Sequence, residues 1–172
     1  MTYWDKPLPH KILTPAELLQ LYASGKRGFI GVDLQEVNLE GANLKELLLW
    51  QANLKSINLR RANLSNTHLF ANLCQANLSD TDLSNAKLLY SDLREANLTR
   101  AKLFKTNLKG ADLRGANFSY AKLAYADLTE ADLRGANFYN SVLFSVTINR
   151  AHIEDVDWSE TTLVKTNLRD AL

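Results

Sequence analysis

The chain has 172 residues, 46% of them hydrophobic, and its 20 Lys and Arg against 19 Asp and Glu leave a formal net charge of +1. That length suits one domain with a substantial core, while the near-neutral balance excludes a strong overall field for nucleic acid, anionic membrane or basic partners. The single cysteine, Cys74, excludes an internal disulfide framework and a thiolate zinc cluster and fits a reducing compartment, and no apolar run approaches the ~20 residues that span a bilayer as a helix.

The chain opens with MTYWDKPLPHKIL. Charges, prolines and His10 stand where a secretory signal needs a continuous apolar stretch, so a cytoplasmic location is the expectation. Residues 14–25, TPAELLQLYASG, carry Thr14 as N-cap, Pro15 at the first helical position, Glu17 three residues after the cap and Gly25 as a stop. They predict a short helix whose Leu18, Leu19, Leu21 and Tyr22 cover the first coil of the adjoining repeat domain, the capping that a solenoid requires. Residues 1–28 read as an extended segment plus this cap, and 29–172 as one repeat domain.

From Phe29 an apolar residue returns at every fifth position, through Leu34, Leu39, Leu44, Leu49, Leu54, Leu59, Leu64 and Leu69. A four-residue step leads to Leu73, after which the spacing of five holds to Leu168, with Phe118, Phe138, Ile148, Ile153 and Trp158 among the leucines. We call this residue the centre of its quintet. Two positions earlier stands a small or β-branched residue, as in Ala52, Ala62, Ala76, Ala96 and Ala116, with mostly Asn, Asp or Lys between.

The period selects the structure. On an α-helix a step of five turns the chain by about 500°, leaving successive centres about 140° apart and forming no apolar face. On a flat strand an odd step sends successive centres to opposite sides, so half would face water. If the chain turns a corner after each quintet, the centre and the small residue both point inward and three residues face out. Four such sides close a coil of about 20 residues, stacked on its neighbours at the β spacing of about 4.8 Å. The corner positions agree, with Gly41, Asn66, Asp80, Asn85, Gly110, Gly115, Gly135 and Asn140 all residues that favour turns.

The step from Leu69 to Leu73 omits one corner residue, since Phe70 is followed at once by Ala71; a kink or a tightened corner is expected there. Toward the other end Val146, Ile148, Ile153, Val156 and Trp158 replace the usual Ala and Leu and plug the last coils, with no terminal helix expected. A bare last coil pairing with its copy would give a homodimer through the C-terminal coil.

Stretches such as ANLSDTDLSNAKLLYSDLREANLTRAKL and ADLRGANFSYAKLAYADLTEADLRGANF resemble the pentapeptide-repeat family, whose motif is a small residue, Asn or Asp, Leu or Phe, and two variable positions. The resemblance runs from residue 29 to about residue 170 and is nearest the small cyanobacterial-type members with an N-terminal capping helix. It implies an all-β solenoid, a right-handed quadrilateral parallel β-helix, here of about seven coils at 20 residues each.

Outward residues read in steps of 20 become columns. One holds Phe104, Ala124, Phe144 and Val164, with Tyr125 beside it and Tyr120 and Tyr139 on the preceding side. These are the protein-binding candidates, because clustered exposed aromatics mark interaction patches; the competing reading is β-favouring residues stacked on themselves. A second column, Ile30, Trp50, Phe70 and Leu89 with Tyr90 adjacent, is a secondary candidate, or else lies under the extended segment of Tyr3, Trp4, Pro7, Leu8 and Pro9. A third aligns Arg94, Arg114 and Arg134 behind Lys55 and Cys74, flanked by Asp92, Asp112 and Asp132. It reads either as a solvated ion-pair ladder or as a site for an acidic partner or phosphate.

His10, His68 and His152 show no metal-ligand spacing. Ser and Asp recur at outward repeat positions, and there is no phosphate loop or paired-carboxylate cleft. No catalytic residue, cofactor or metal is expected, nor a pocket on a convex leucine-packed rod.

Some members of the family resemble duplex DNA and bind type II topoisomerases. That makes a DNA-mimic modulator the alternative function, disfavoured by the net charge unless acids such as Glu36, Glu40, Glu46 and Glu95 gather on one side. Other relatives, in photosynthetic bacteria, contact a transcription factor or signalling component. The resemblance therefore implies a non-catalytic protein–protein interaction scaffold with an unidentified protein partner, and with no direct binding of nucleic acid or membrane.

Overall fold

A computed structural model describes residues 11–172, without the side chain of Asp170. In chain order it contains β1 (Lys11–Ile12), α1 (Pro15–Ala23), β2 (Gly28–Ile30), β3 (Val32–Asp33), β4 (Leu48–Asn53), β5 (His68–Asn72), β6 (Lys122–Ala124), β7 (Val142–Phe144), β8 (Thr162–Val164) and a 3₁₀ turn at Leu168–Asp170. All pairing is parallel, and four successive quintets each bridge to the residue 20 positions on: Asn97 to Asn117, Lys102 to Lys122, Asn107 to Asp127 and Asp112 to Asp132. Each coil therefore has four sides. The chain is a right-handed quadrilateral β-helix of about eight turns, with one short α-helix among the described residues.

The corners explain why a strand this short keeps turning. The residue two after nearly every centre takes a left-handed φ, as at Glu36 (+59°), Tyr90 (+54°) and Lys165 (+52°), which for a non-glycine residue costs on the order of 1 kcal/mol. Two gains offset that. The turn closes a local bond, as from Ala76 N–H to the Leu73 carbonyl (2.9 Å), and the corner N–H meets the next coil, as from Glu95 to the Arg114 carbonyl (2.9 Å).

Inside, the centres from Phe29 to Leu143 and the alanines two before them from Ala52 onward are buried, with Ala42 partly so. Phe118 stacks on Phe138 at 4.6 Å and Phe138 on Trp158 at 4.8 Å between ring centroids, a continuous aromatic column in the last coils. Thr67, Thr81, Thr106 and Ser91 take alanine positions and donate their hydroxyls to the Leu64, Leu59, Leu83 and Leu69 carbonyls. With an acceptor each, these four hydroxyls avoid the penalty of an unpaired buried polar group, whereas the Ser141 hydroxyl, buried at the same repeat position, has no partner.

At the four-residue step β4 keeps a left-handed corner at Gln51 (φ +56°), whereas β5 has none. Trp50 pairs with Phe70 and Ala52 with Ala71, so Gln51 forms a bulge over a corner that β5 rounds without a turn residue. The bridge offset is 19 for the next three sides, as in Asn58 to Asn77, and returns to 20 at Asn72 to Asp92.

Helix α1 begins with a capping box: the Thr14 hydroxyl accepts from the Glu17 N–H (3.2 Å) and the Glu17 carboxylate accepts from the Thr14 N–H (2.8 Å). Leu18 is buried and Leu21 and Tyr22 pack on the core, while Leu19 points outward at 39% exposure, against its expected covering role. Three of the four apolar residues therefore close the first coil. At the other end the 3₁₀ turn at Leu168–Asp170, where no helix was expected, brings the Leu172 N–H to the Ala151 carbonyl at 2.8 Å.

Candidate protein-binding face

The first face carries Leu88 and Leu108, the second Leu93 and Leu113, the third Leu98 and Phe118, and the fourth Leu103 and Leu123. On the C-terminal half of the fourth face β6, β7 and β8 form a three-stranded sheet with Ala124 facing Phe144 and Phe144 facing Val164. These residues come directly after a centre, so they point away from an interior already filled.

Tyr125, at the corner beyond that column, holds the rings together. Its ring is edge-on to Phe104 at 5.8 Å and to Phe144 at 5.4 Å. At the preceding corner Tyr120 meets Tyr139 edge-on at 5.7 Å. Phe104, Tyr120, Tyr125, Tyr139 and Val164 are all exposed, and Phe144 is half-buried. The structure thus places Phe104, Phe144 and Val164 along the fourth face with Tyr125 at the corner after it, Tyr120 at the corner before it, and Tyr139 on the adjoining edge of the third face.

A feature missed in the sequence is the charge on this face. Lys105 lies over the Phe104 ring and Lys165 over the Phe144 ring, at 5.2 and 5.7 Å. Lys102 and Lys122 stand with Arg100, Tyr120, Asn140 and Val142 around a shallow depression of about 410 Å³. Arg100 is engaged by Asp80 at 2.7 Å. Among the described residues, Lys102, Lys105, Lys122 and Lys165 have no carboxylate within ion-pair distance. The signal was present as 20-residue spacing of Lys102 and Lys122, but on the opposite side of the centre from the phenylalanines.

The arginines of the second face are spent on their own aspartates. Arg94, Arg114 and Arg134 each bind Asp92, Asp112 and Asp132 through two bonds of 2.8 and 2.6 Å. Arg94 and Arg114 reach on to the next aspartate at 3.8 and 3.6 Å. The Arg134 hydrogen bond holds the Asp132 carboxyl below the usual range, and the same pairing raises Arg94, Arg114 and Arg134 further. Burial, followed by Asp92, pushes the Cys74 thiol up. A partner phosphate would have to displace an internal carboxylate here.

Contrary to the expectation that the rod has no pocket, the first face carries an apolar groove of about 290 Å³. It is lined by Trp50, His68, Leu69, Phe70, Lys87, Leu89 and Tyr90. Burial, with Lys87 nearby, holds the His68 imidazole below its usual value. The expectation that Tyr3, Trp4, Pro7, Leu8 and Pro9 cover this column lies outside the described residues.

The acids do not gather: Glu36 and Glu95 stand on the corner after the second face, Glu40 on the third face and Glu46 on the corner after the fourth. Among the described residues no group of His, Cys, Asp and Glu is arranged to hold a metal, and no helix is long and apolar enough to cross a membrane.

No curated protein matches the chain. Among solved structures, the pentapeptide repeat protein alr5209 from Nostoc Pcc 7120 is 41% identical over 62% of this chain and 84% of its own, with a TM-score of 0.55. Rfr23, a pentapeptide repeat protein from the cyanobacterium Cyanothece 51142, is 28% identical over 87% and 95%, with a TM-score of 0.54. Trypsin-treated QnrB1, a plasmid-mediated fluoroquinolone resistance protein, matches over 84% and 78% with a TM-score of 0.61 but 15% identity, a likeness of fold alone. Pentapeptide repeat proteins are generally non-catalytic scaffolds and often serve interaction or regulation. The model of that family matches in 8 copies, within residues 38–69, 70–110, 90–119 and 111–150, and this chain belongs to the family of pentapeptide repeats.

Proposed function

We propose that this protein is a non-catalytic docking scaffold that binds a regulatory protein, a transcription factor or signalling component, through the C-terminal half of its fourth face. The observation that carries this reading is the pairing of exposed rings with unpaired lysines on one flat sheet. A monomer rarely leaves clustered aromatics in water, and cations beside them select a partner with acidic residues next to apolar ones. Tyr and Phe supply rigid contact area at low entropic cost.

The test is capture from native lysate with the intact chain and with Phe104→Ser plus Phe144→Ser. Both residues lie outside the core, so the variant keeps its fold and loses the partner. Capture undiminished by the double substitution removes this face from the mechanism.

Mimicry of DNA is the weaker reading. A stack ~34 Å high at β spacing corresponds to a duplex with about 20 phosphate charges, whereas this chain has a net charge of +1 and scattered acids.

A further inference from the structure

Lys102 and Lys122 face each other across a parallel bridge of the fourth face, one coil apart at ~4.8 Å, and both are exposed. Like charges so placed repel unless an anion lies between them. The neighbouring columns supply none. Asp82, Lys102, Lys122, Val142 and Thr162 succeed one another before the centres, and Asp80, Arg100, Tyr120, Asn140 and Glu160 along the adjoining corner. Asp80, Asp82 and Glu160 are therefore two coil steps from Lys122, ~10 Å. Asp82 is one step from Lys102, but its Oδ1 accepts the Ser84 N–H at 3.0 Å, and Asp80 is closed on Arg100 by bonds of 2.7 and 3.0 Å.

Asn140 and Val142 are short beside Arg100, Lys102, Tyr120 and Lys122, and the difference leaves the depression of about 410 Å³. Tyr139 holds the Tyr120 ring edge-on at 5.7 Å. Among the described residues, neither the Tyr120 hydroxyl nor the Asn140 side-chain amide has a hydrogen-bond partner. The depression thus gathers two unpaired ammonium groups and two unengaged donors, with the Arg100 and Asp80 pair as a neutral wall.

We infer that this depression takes a phosphoryl group carried by the protein partner, so that docking depends on phosphorylation of a serine or threonine in that partner. The inference rests on the docking face proposed above and names what its lysines recognise. Charge decides in favour of phosphate. A phosphomonoester carries about −1.5 to −2 at pH 7 and three acceptor oxygens, which matches two ammonium groups and two further donors. A carboxylate offers a single charge and leaves one lysine uncompensated.

The strand geometry sets the rest of the motif. Side chains two residues apart along a strand share a face, ~6.6 Å apart, as Lys102 and Phe104 do. An extended partner segment lying along the strands therefore sets its phosphorylated residue over Lys102 and Lys122, and an apolar side chain two residues away over Phe104, Ala124 and Phe144.

The probe is a fluorescein-labelled peptide, Gly-Ala-Leu-Ala-Ser-Ala-Leu-Ala-Gly, in phosphoserine, serine and glutamate forms, with leucine two residues to either side so that both chain directions are served. Titrated with the intact protein and read by fluorescence anisotropy, the phosphoserine form is expected to bind about tenfold more tightly than the serine form and severalfold more tightly than the glutamate form. Lys102→Gln plus Lys122→Gln should abolish that preference. Lys55→Gln plus Lys87→Gln, the same change in net charge on other faces, should leave it. Phe104→Ser plus Phe144→Ser should weaken all three forms alike and keep their ratio. Equal binding of the phosphoserine and serine forms, no binding of any form, or a preference that survives loss of both lysines overturns the inference. Capture from lysate that depends on Phe104 and Phe144 can persist in that case, so the docking face and its phosphoryl specificity fail separately. Vesicles containing phosphoinositide that bind through Lys102 and Lys122, with no preference among the peptides, would assign the site to a membrane and likewise overturn it.

Discussion

Gly110 is the floor on which the Tyr90 ring rests: a Cβ built on Gly110 would come within 2.5 Å of Tyr90 Cδ1. Gly135 has the same left-handed φ of +67°, against +63° at Gly110, and nothing within 4 Å of its Cβ position. Ala at either site carries the left-handed penalty of on the order of 1 kcal/mol, but only Gly110→Ala also displaces a ring that lines the groove. Chemical denaturation should find Gly110→Ala less stable than Gly135→Ala by about 1 kcal/mol more. Equal losses would mean the ring moves aside freely.

The aromatic column inside the last coils sets a second expectation. Phe138 is fully buried between Phe118 and Trp158, so Phe138→Ala should cost about 4 kcal/mol. Phe138→Leu, which restores the commonest centre, should cost about 1 kcal/mol. The same denaturation midpoints check both, and a mild effect of the alanine would show that the coils collapse onto the space.

Along the second face the ion pairs differ in burial. The Asp92 side chain is 1% exposed and that of Asp132 22%. Removing Arg94 strands a buried carboxylate, so Arg94→Met should cost about 2 to 3 kcal/mol, the lower side of the buried-pair range because Arg94 itself is a third exposed. Arg134→Met leaves a carboxylate that water reaches, so it should lower the melting temperature by much less than Arg94→Met does.

Acid should weaken the protein through the same groups. Asp80 and Asp132 are held below the ordinary carboxylate value by hydrogen bonds from Arg100 and Arg134. The folded state then binds fewer protons than the unfolded one, so this stabilisation is complete above the unfolded Asp value of about 3.9 and is lost as pH falls toward the depressed folded values. Melting temperature followed downward from pH 6 should hold to about pH 4 and then drop. In the Asp80→Asn, Asp132→Asn chain that drop should be shallower, and parallel curves would remove these carboxylates as its cause.

The coil was legible because a period of five suits neither a helix nor a flat strand, and because the left-handed corners fall on Gly41, Asn66, Asp80 and their equivalents. The helical cap was legible from Thr14, Pro15 and Glu17, yet Leu19 was not placed, since neighbouring residues at 100° steps cannot all face one surface. The groove was hidden because the columns were read as flat, whereas a bulge at Gln51 reshapes the face around Trp50 and Phe70. The lysines of the fourth face were hidden because they flank the centre on both sides, Lys102 and Lys122 before it and Lys105 and Lys165 after it. Only the stacked sheet makes them one surface.

Lysine acetylation of the captured complex against the free protein, read peptide by peptide, tests the docking face most directly. Lys102, Lys105 and Lys122 should be protected in the complex while Lys55, Lys87 and Lys109, on the first and second faces, react at their free rates. Protection of Lys55 or Lys87 with Lys102, Lys105 and Lys122 still fully reactive would contradict the assignment.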